Sequence, residues 1–424
     1  MEKYLVKHIY EQDFGCEGMS EDAPKLWDVV AETLDINREE KTFSVEDSRL
    51  THQKISEGSV VAFTSNNDMV KTGAIFNLMQ LISKHFEQFG ATPDAIESIE
   101  CNDSSFLEIT ITINGKETVV IPTDSSVSGI DLQGVETLTN LRKLECYFDW
   151  AMNVEAVSEL TDLVTLKILC ANVQNLAFLK KLSSLTTLNL RKTRSDEGNP
   201  QNFDISEIVN LPKLEVLYLG CRSIKDISYL SKLTNLKELS LMSCGISDIS
   251  ALGTLEELEI LDISINKDIK KFDVFAQLRN LKVLKASFMN GKANFSEIEH
   301  LTELEELTIP DNTAKMDLSF LQNLTKLKIL NVDYCKNIAD ISALEYAASL
   351  EELRMCEVKK VTDFAPIGKL ANLKSVVMRK ANLEDISFLK GLEKLEYVEL
   401  FGNKKITDFS PIEHVKEVKC DKKW

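Results

Sequence analysis

Long apolar runs are missing from this chain, and so are the short motifs that mark most enzyme sites. The longest uncharged stretch in the amino-terminal part, Thr72 to Ser83, is too short to cross a bilayer. No GxSxG elbow, no phosphate-cradling GxxxxGK and no HExxH is present, and the five histidines are scattered. Residues Met1 to Tyr10 carry charges with no long apolar stretch and cleavage site behind them, so no export signal is expected. Positive charge is also scarce. With 49 basic against 67 acidic residues the formal charge is −18, and the averaged field repels phosphate backbones and anionic lipid, which excludes nucleic acid as the expected ligand. The cysteines number nine, an odd count, and Cys146, Cys170, Cys221, Cys244, Cys335 and Cys356 show no pairing rhythm and no close spacing with histidine. That argues against a disulfide framework and a metal centre, and suits a reducing compartment. The expectation is a cytoplasmic protein with no cofactor, no metal and no membrane insertion.

What is present, over and over, is leucine. Leu230, Leu233, Leu236, Leu239 and Leu241 stand at intervals of three, three, three and two, and the comb returns at Leu252, Leu255, Leu258, Leu261 and Ile263. The penultimate teeth are Leu144, Leu166, Leu188, Leu217, Leu239, Leu261, Leu284, Leu307, Leu330, Leu353, Val376, Val398 and a shortened copy at Val418. Neighbouring teeth lie 22 or 23 residues apart, except for one gap of 29 and a last one of 20. A period of that length predicts a solenoid of about 13 coils, with an insertion at residues 191–204. The insertion, with Gly198, Pro200 and alternating charges, reads as a solvated loop.

One coil explains the spacing. From Leu233, the segment LTNLKELSLMSCGISDIS places Leu239 and Leu241 on one face of a short strand, with Glu238, Ser240 and Met242 on the other. Leu233 and Leu236 turn inward on the approach, and Ile246 and Ile249 on the return. Each coil therefore offers an apolar wall above and below that only its neighbours can cover. At the turn leaving the strand, Cys244 and Cys335 stand where other copies have Asn266, Asn312 and Asn403. A thiol there can donate weakly to a neighbouring carbonyl, as the asparagine amide does more strongly.

The run LxxLxxLxLxx(N/C)xIxDIxxL, seen as LTNLKELSLMSCGISDISAL and again as LTKLKILNVDYCKNIADISAL from Leu324, resembles the bacterial internalin-type leucine-rich repeat. It is also similar to the short repeat of eukaryotic phosphatase-regulatory subunits. The resemblance covers about Ile130 to Val418. It implies a parallel strand wall on the concave side, short helical turns on the convex side, and protein recognition. Internalins of the familiar kind are exported and tethered to a cell wall. This chain shows neither a signal peptide nor a sorting motif near Trp424, so host-receptor binding is not implied.

Before the array the comb is absent. The fold class is therefore an α/β leucine-rich-repeat solenoid at residues 125–424, preceded by a small α+β domain at residues 1–124. There, Pro24 to Leu34 and Gly73 to Phe89 have helical periodicity, and Ser59 to Thr64 reads as a strand. Ile109 to Ile113, Asn114-Gly115 and Val119 to Ile121 read as a hairpin. Ser125 to Gly129 is the expected junction. This part either caps the first coil or forms an independent module.

Outward positions between the teeth decide what the wall could hold. Tyr218, Met242, Ile260, Ile265, Phe288, Tyr334, Arg354, Arg379, Tyr397 and Phe401 are the candidate protein-binding residues, because Tyr, Phe, Met and Arg are enriched at interfaces. The plain alternative is that such residues merely favour sheet and pack sideways on one another. No catalytic residue is proposed. The function expected is non-enzymatic binding of another protein on the concave face. An enzyme or toxin-neutralising activity in Met1 to Thr123, with the array as targeting arm, and an effector exported without a cleaved signal remain the alternatives.

Overall fold

The computed structural model describes residues 3–11, 26–33, 39–46, 50, 55–63, 69–102, 108–120, 127–147, 150–169, 175–191, 203–289, 295–313 and 316–421. The chain divides into two compact units, Met1–Arg194 and Ser195–Trp424. Most of the insertion, and the terminal Trp424, lie outside the described residues.

The first unit begins with a seven-stranded sheet. Its strands are β1 (Lys3–Glu11), β2 (Leu26–Thr33), β3 (Glu40–Glu46), β4 (Ser59–Phe63), β5 (Met69–Asn77), β9 (Val127–Asp131) and β11 (Trp150–Met152), in the order β11-β9-β5-β4-β1-β2-β3. Pairing is antiparallel from β5 through β4, β1 and β2 to β3, and parallel from β5 to β9 and β11. Alternation along the strands fills both faces. Tyr4, Val6, Val29, Ala31, Val45 and Val61 share one core, while Leu5, Val60 and Met152 share another.

Three expectations for this region need correction. The segment around Pro24 to Leu34 is strand β2, not helix: its buried residues Val29, Ala31 and Thr33 recur at period two, and both edges of the segment are taken by β1 and β3. The second helix is real but shorter than expected, running over Leu78–Phe89 as α1, with Ile75 and Phe76 in β5. Asn77 sets its start by accepting the Gln80 N–H at 2.8 Å, an N-cap that satisfies a donor the helix leaves free. Gly90, at φ 58°, ends it in the left-handed conformation that glycine tolerates. The junction expected at Ser125 to Gly129 also runs into β9.

The hairpin forms as expected. Strands β6 (Ile96–Asn102), β7 (Glu108–Ile113) and β8 (Lys116–Val120) are antiparallel, with Asn114 and Gly115 both at positive φ in the β7–β8 turn. Then the pairing changes sense. Strand β6 lies parallel to β10 (Lys143–Tyr147), with Ile99 opposite Leu144 and Cys101 opposite Cys146, so it takes the place of a coil before the first coil. Strands β12 (Thr165–Leu169) and β13 (Thr187–Arg191) follow in parallel, carrying Leu166 and Leu188 in register.

In the second unit the described residues are repeat throughout. Ten strands of three to five residues carry Leu217, Leu239, Leu261, Leu284, Leu307, Leu330, Leu353, Val376, Val398 and Val418, and these teeth stand directly opposite one another from strand to strand. All but Val418 are fully buried. The return side is built of short 3-10 turns such as Ser228–Lys232 and Ser342–Tyr346. An aspartate starts most of them: Asp226, Asp248, Asp340 and Asp408 each accept the N–H two residues on at 2.8–2.9 Å.

Between strand and return, the buried asparagines act as bolts between coils. The Asn266 amide donates to the carbonyls of Leu241 in the preceding coil and Ile263 in its own, both at 2.8 Å, and its oxygen accepts the Cys244 N–H at 3.0 Å. Asn312 and Asn403 repeat this arrangement. Where cysteine replaces asparagine, the thiol of Cys335 reaches the Ile309 carbonyl at 3.2 Å and that of Cys244 reaches the Leu219 carbonyl at 3.6 Å. The substitution therefore keeps one bond of the set. Burial pushes both thiols up to about 12.

Candidate functional site

With the teeth turned inward, the residues on either side of each tooth form columns across the outer face of the second unit. The column two residues before the tooth reads Glu215, Lys237, Glu259, Lys282, Glu305, Lys328, Glu351, Lys374, Glu396 and Lys416. Acid and base alternate without a break over ten coils. Each lysine pairs with the glutamate of the coil before it, at 3.0 Å for Lys237–Glu215, 2.9 Å for Lys282–Glu259 and 2.6 Å for both Lys328–Glu305 and Lys374–Glu351. Comb reading passes over this ladder because it registers only the apolar teeth. Aligning the coils on those teeth displays it at once.

A second column lies four residues after the tooth. Ser243, Ile265, Phe288, Asp311, Tyr334, Glu357, Lys380 and Gly402 all adopt positive φ, between 51° and 82°. The reason is geometric. From Ser243 to Lys380, the N–H of each non-glycine member of the column keeps pairing with the next coil, as in Ile265 to the Ser287 carbonyl at 2.9 Å and Tyr334 to the Cys356 carbonyl at 2.7 Å. In the coils with asparagine or cysteine, the following residue must then point inward as a bolt. A left-handed step meets both demands. It is natural for glycine or aspartate, but costs a β-branched or aromatic residue roughly 1–2 kcal/mol.

The candidate binding residues fall into this frame unevenly. Ile265, Phe288 and Tyr334 stand in the left-handed column, Phe288 being 47% and Tyr334 40% exposed. Met242, Arg379 and Phe401 occupy the column beside it, and Phe401 is 40% exposed. Tyr218 and Arg354 follow their teeth directly, while Ile260 and Tyr397 precede theirs, and all four are partly buried. The structure thus gathers the exposed apolar groups toward the edge where the strands give way to the return.

The charged candidates are engaged within the face. Arg379 makes a two-pronged contact with the buried Glu399 at 2.7 and 2.8 Å, which holds the carboxyl below the usual range and raises the guanidinium. Tyr397 donates to the same carboxylate at 3.0 Å, and its ring lies 5.1 Å from the Lys419 ammonium. Arg354 binds Asp333 at 2.8 Å, while the second oxygen of Asp333 accepts the Cys356 N–H at 2.7 Å. Tyr218 donates to Glu238. Asp311 differs: among the described residues it makes no ion pair, and burial together with the neighbouring Asp333 raises its carboxyl above the usual value.

Among the described residues, no group of three or more His, Cys, Asp and Glu is placed to hold a metal ion. None of their helices is long and apolar enough to cross a membrane.

Parallel strands in register, asparagine bolts and 3-10 returns define a leucine-rich repeat protein. The comparisons with known proteins agree and sharpen the assignment. The sequence family described as "Leucine Rich repeats (2 copies)" matches residues 212–254. The internalin InlF of Listeria monocytogenes is similar over 72% of this chain and 90% of its own, at 26% identity and a TM-score of 0.57. A leucine-rich repeat protein of Leptospira interrogans shares the fold, at 19% identity and a TM-score of 0.54, over 68% of this chain and 80% of its own. No curated protein matches the sequence. The chain is an internalin-like leucine-rich repeat protein.

Proposed function

We propose that this protein is a non-enzymatic interaction module that binds another protein on the strand face of its repeats, along the edge that carries Ile265, Phe288, Tyr334 and Phe401. The left-handed column carries the reading. At Phe288 and Tyr334 the backbone favours glycine, asparagine or aspartate, yet aromatic side chains stand there exposed to solvent. Aromatic groups pinned by main-chain bonds and presented in a row are the anchors that protein interfaces use. A role inside the cytoplasm is supported by the buried thiols of Cys101, Cys244, Cys335 and Cys356, none of which is in a disulfide.

Affinity purification from native cells with the wild-type chain and with Tyr334→Asp/Phe401→Asp tests the reading. A partner retained by wild type and lost from the double variant is expected. Equal recovery of the same partner by both would place the binding surface elsewhere.

A further inference from the structure

The left-handed column also limits the chemistry of the partner. Phe288, Asp311 and Tyr334 follow one another on three successive coils, so the two rings are attached about 10 Å apart with a carboxylate between them. The backbones at all three positions are fixed: their N–H groups donate to Pro310, Asp333 and Cys356 carbonyls at 3.1, 2.8 and 2.7 Å. Five basic groups on the strand face of the second unit each have an acid within reach. Lys285 faces Glu306, Arg354 faces Asp333, Arg379 faces Glu399, Lys380 faces Glu357 and Lys419 faces Glu417. Among the described residues Asp311 has no such partner, and the other charges near it are Asp333, itself held by Arg354, and Lys336.

A half-buried carboxylate flanked by two exposed rings is complementary to a cation with an apolar stem. The rings offer their faces to the charge and the carboxylate balances it, a combination that gains strength as water is excluded. We propose that the docking face takes a basic segment of a protein partner, with one Lys or Arg side chain seated between Phe288 and Tyr334 on Asp311. This rests on the docking reading above and adds the partner's chemistry to it. The formal charge of −18 assists by drawing a basic partner toward the chain.

Selection of a displayed random 12-residue peptide library on the full chain tests the proposal, with urea unfolding confirming that each variant folds. Enriched peptides are expected to carry Lys or Arg beside an apolar residue. Asp311→Asn and Phe288→Ser are each expected to weaken them at least tenfold, about 1.4 kcal/mol. Asp311→Lys is expected to shift the selection toward acidic peptides. Enriched peptides that lack a basic residue but depend on Phe288 and Tyr334 would overturn this proposal and leave the docking face intact. Basic peptides indifferent to Asp311→Asn and Phe288→Ser would also overturn it, by showing attraction to bulk charge alone. Peptides indifferent to every substitution on the face would sink the docking reading as well.

Discussion

Exchange of asparagine and cysteine at the inter-coil bolt separates hydrogen bonding from packing in this array. In Asn312→Ala, the Met289 N–H loses an acceptor at 2.6 Å and the Ala286 carbonyl loses a donor at 3.0 Å, both deep inside the stack. The Ile309 carbonyl keeps the Cys335 thiol at 3.2 Å. Two stranded buried groups at about 1–3 kcal/mol each predict a loss of about 2–6 kcal/mol. The reverse exchange should help. Cys335→Asn replaces one weak thiol bond with an amide able to reach the carbonyls of Ile309 and Val332, for a gain of about 1–2 kcal/mol. Urea unfolding followed by far-UV circular dichroism reads both as midpoint shifts at unchanged slope, the condition under which such a shift is a stability change. A loss below about 1 kcal/mol for Asn312→Ala, or a destabilised Cys335→Asn, would refute the reasoning and leave the apolar teeth as the main tie between coils.

Other expectations follow from the same geometry. Tyr334→Asn relieves a left-handed tyrosine and should unfold at equal or slightly higher urea, by up to about 1 kcal/mol, while losing partner binding; a clear loss of stability would show that the ring packs in the free protein. Hydrogen bonds to Asp226, Asp248, Asp340 and Asp408 hold these carboxyls below their usual value, so the unfolded chain takes up protons first. Their contribution is complete above about pH 4–5 and is lost as pH falls through the depressed values. Lys237, Lys328 and Lys374 are raised by their glutamates, so theirs is complete below about pH 10 and lost as pH rises beyond it. A stability plateau between these limits, measured by thermal unfolding, is the expected outcome, and a maximum confined to one end would contradict it. Cys244 and Cys335, pushed up to about 12 by burial, should resist alkylation at pH 8 in the native protein and react once it is unfolded, as mapped by mass spectrometry.

The array was legible in the sequence because its core is periodic: thirteen teeth found by counting all fall in strands, and the replacement of Asn by Cys at the bolt was readable from position alone. The region before it was harder. Leu26, Val29, Val30 and Leu34 satisfy helical spacing while Val29, Ala31 and Thr33 satisfy alternation, and only the pairing of β2 with strands on both sides decides between them. The candidate site was legible as a set of residue types but not as an arrangement. Nothing in the local sequence of Ile265, Phe288 or Tyr334 announces a left-handed backbone, because that conformation is imposed by pairing with the next coil. The engagement of Arg354 and Arg379 by Asp333 and Glu399 was hidden for a similar reason, since the partners lie 21 and 20 residues away along the chain.

The alternating column of glutamate and lysine imposes a parity rule on how this array can be lengthened or shortened. Excising one coil, for instance residues 259–281, would set Lys237 beside Lys282 and turn an attraction into a repulsion. Excising two leaves the sequence of signs undisturbed. The natural module for duplication, deletion or grafting in this half of the chain is therefore a doublet of about 45 residues, twice the length that the leucine spacing suggests.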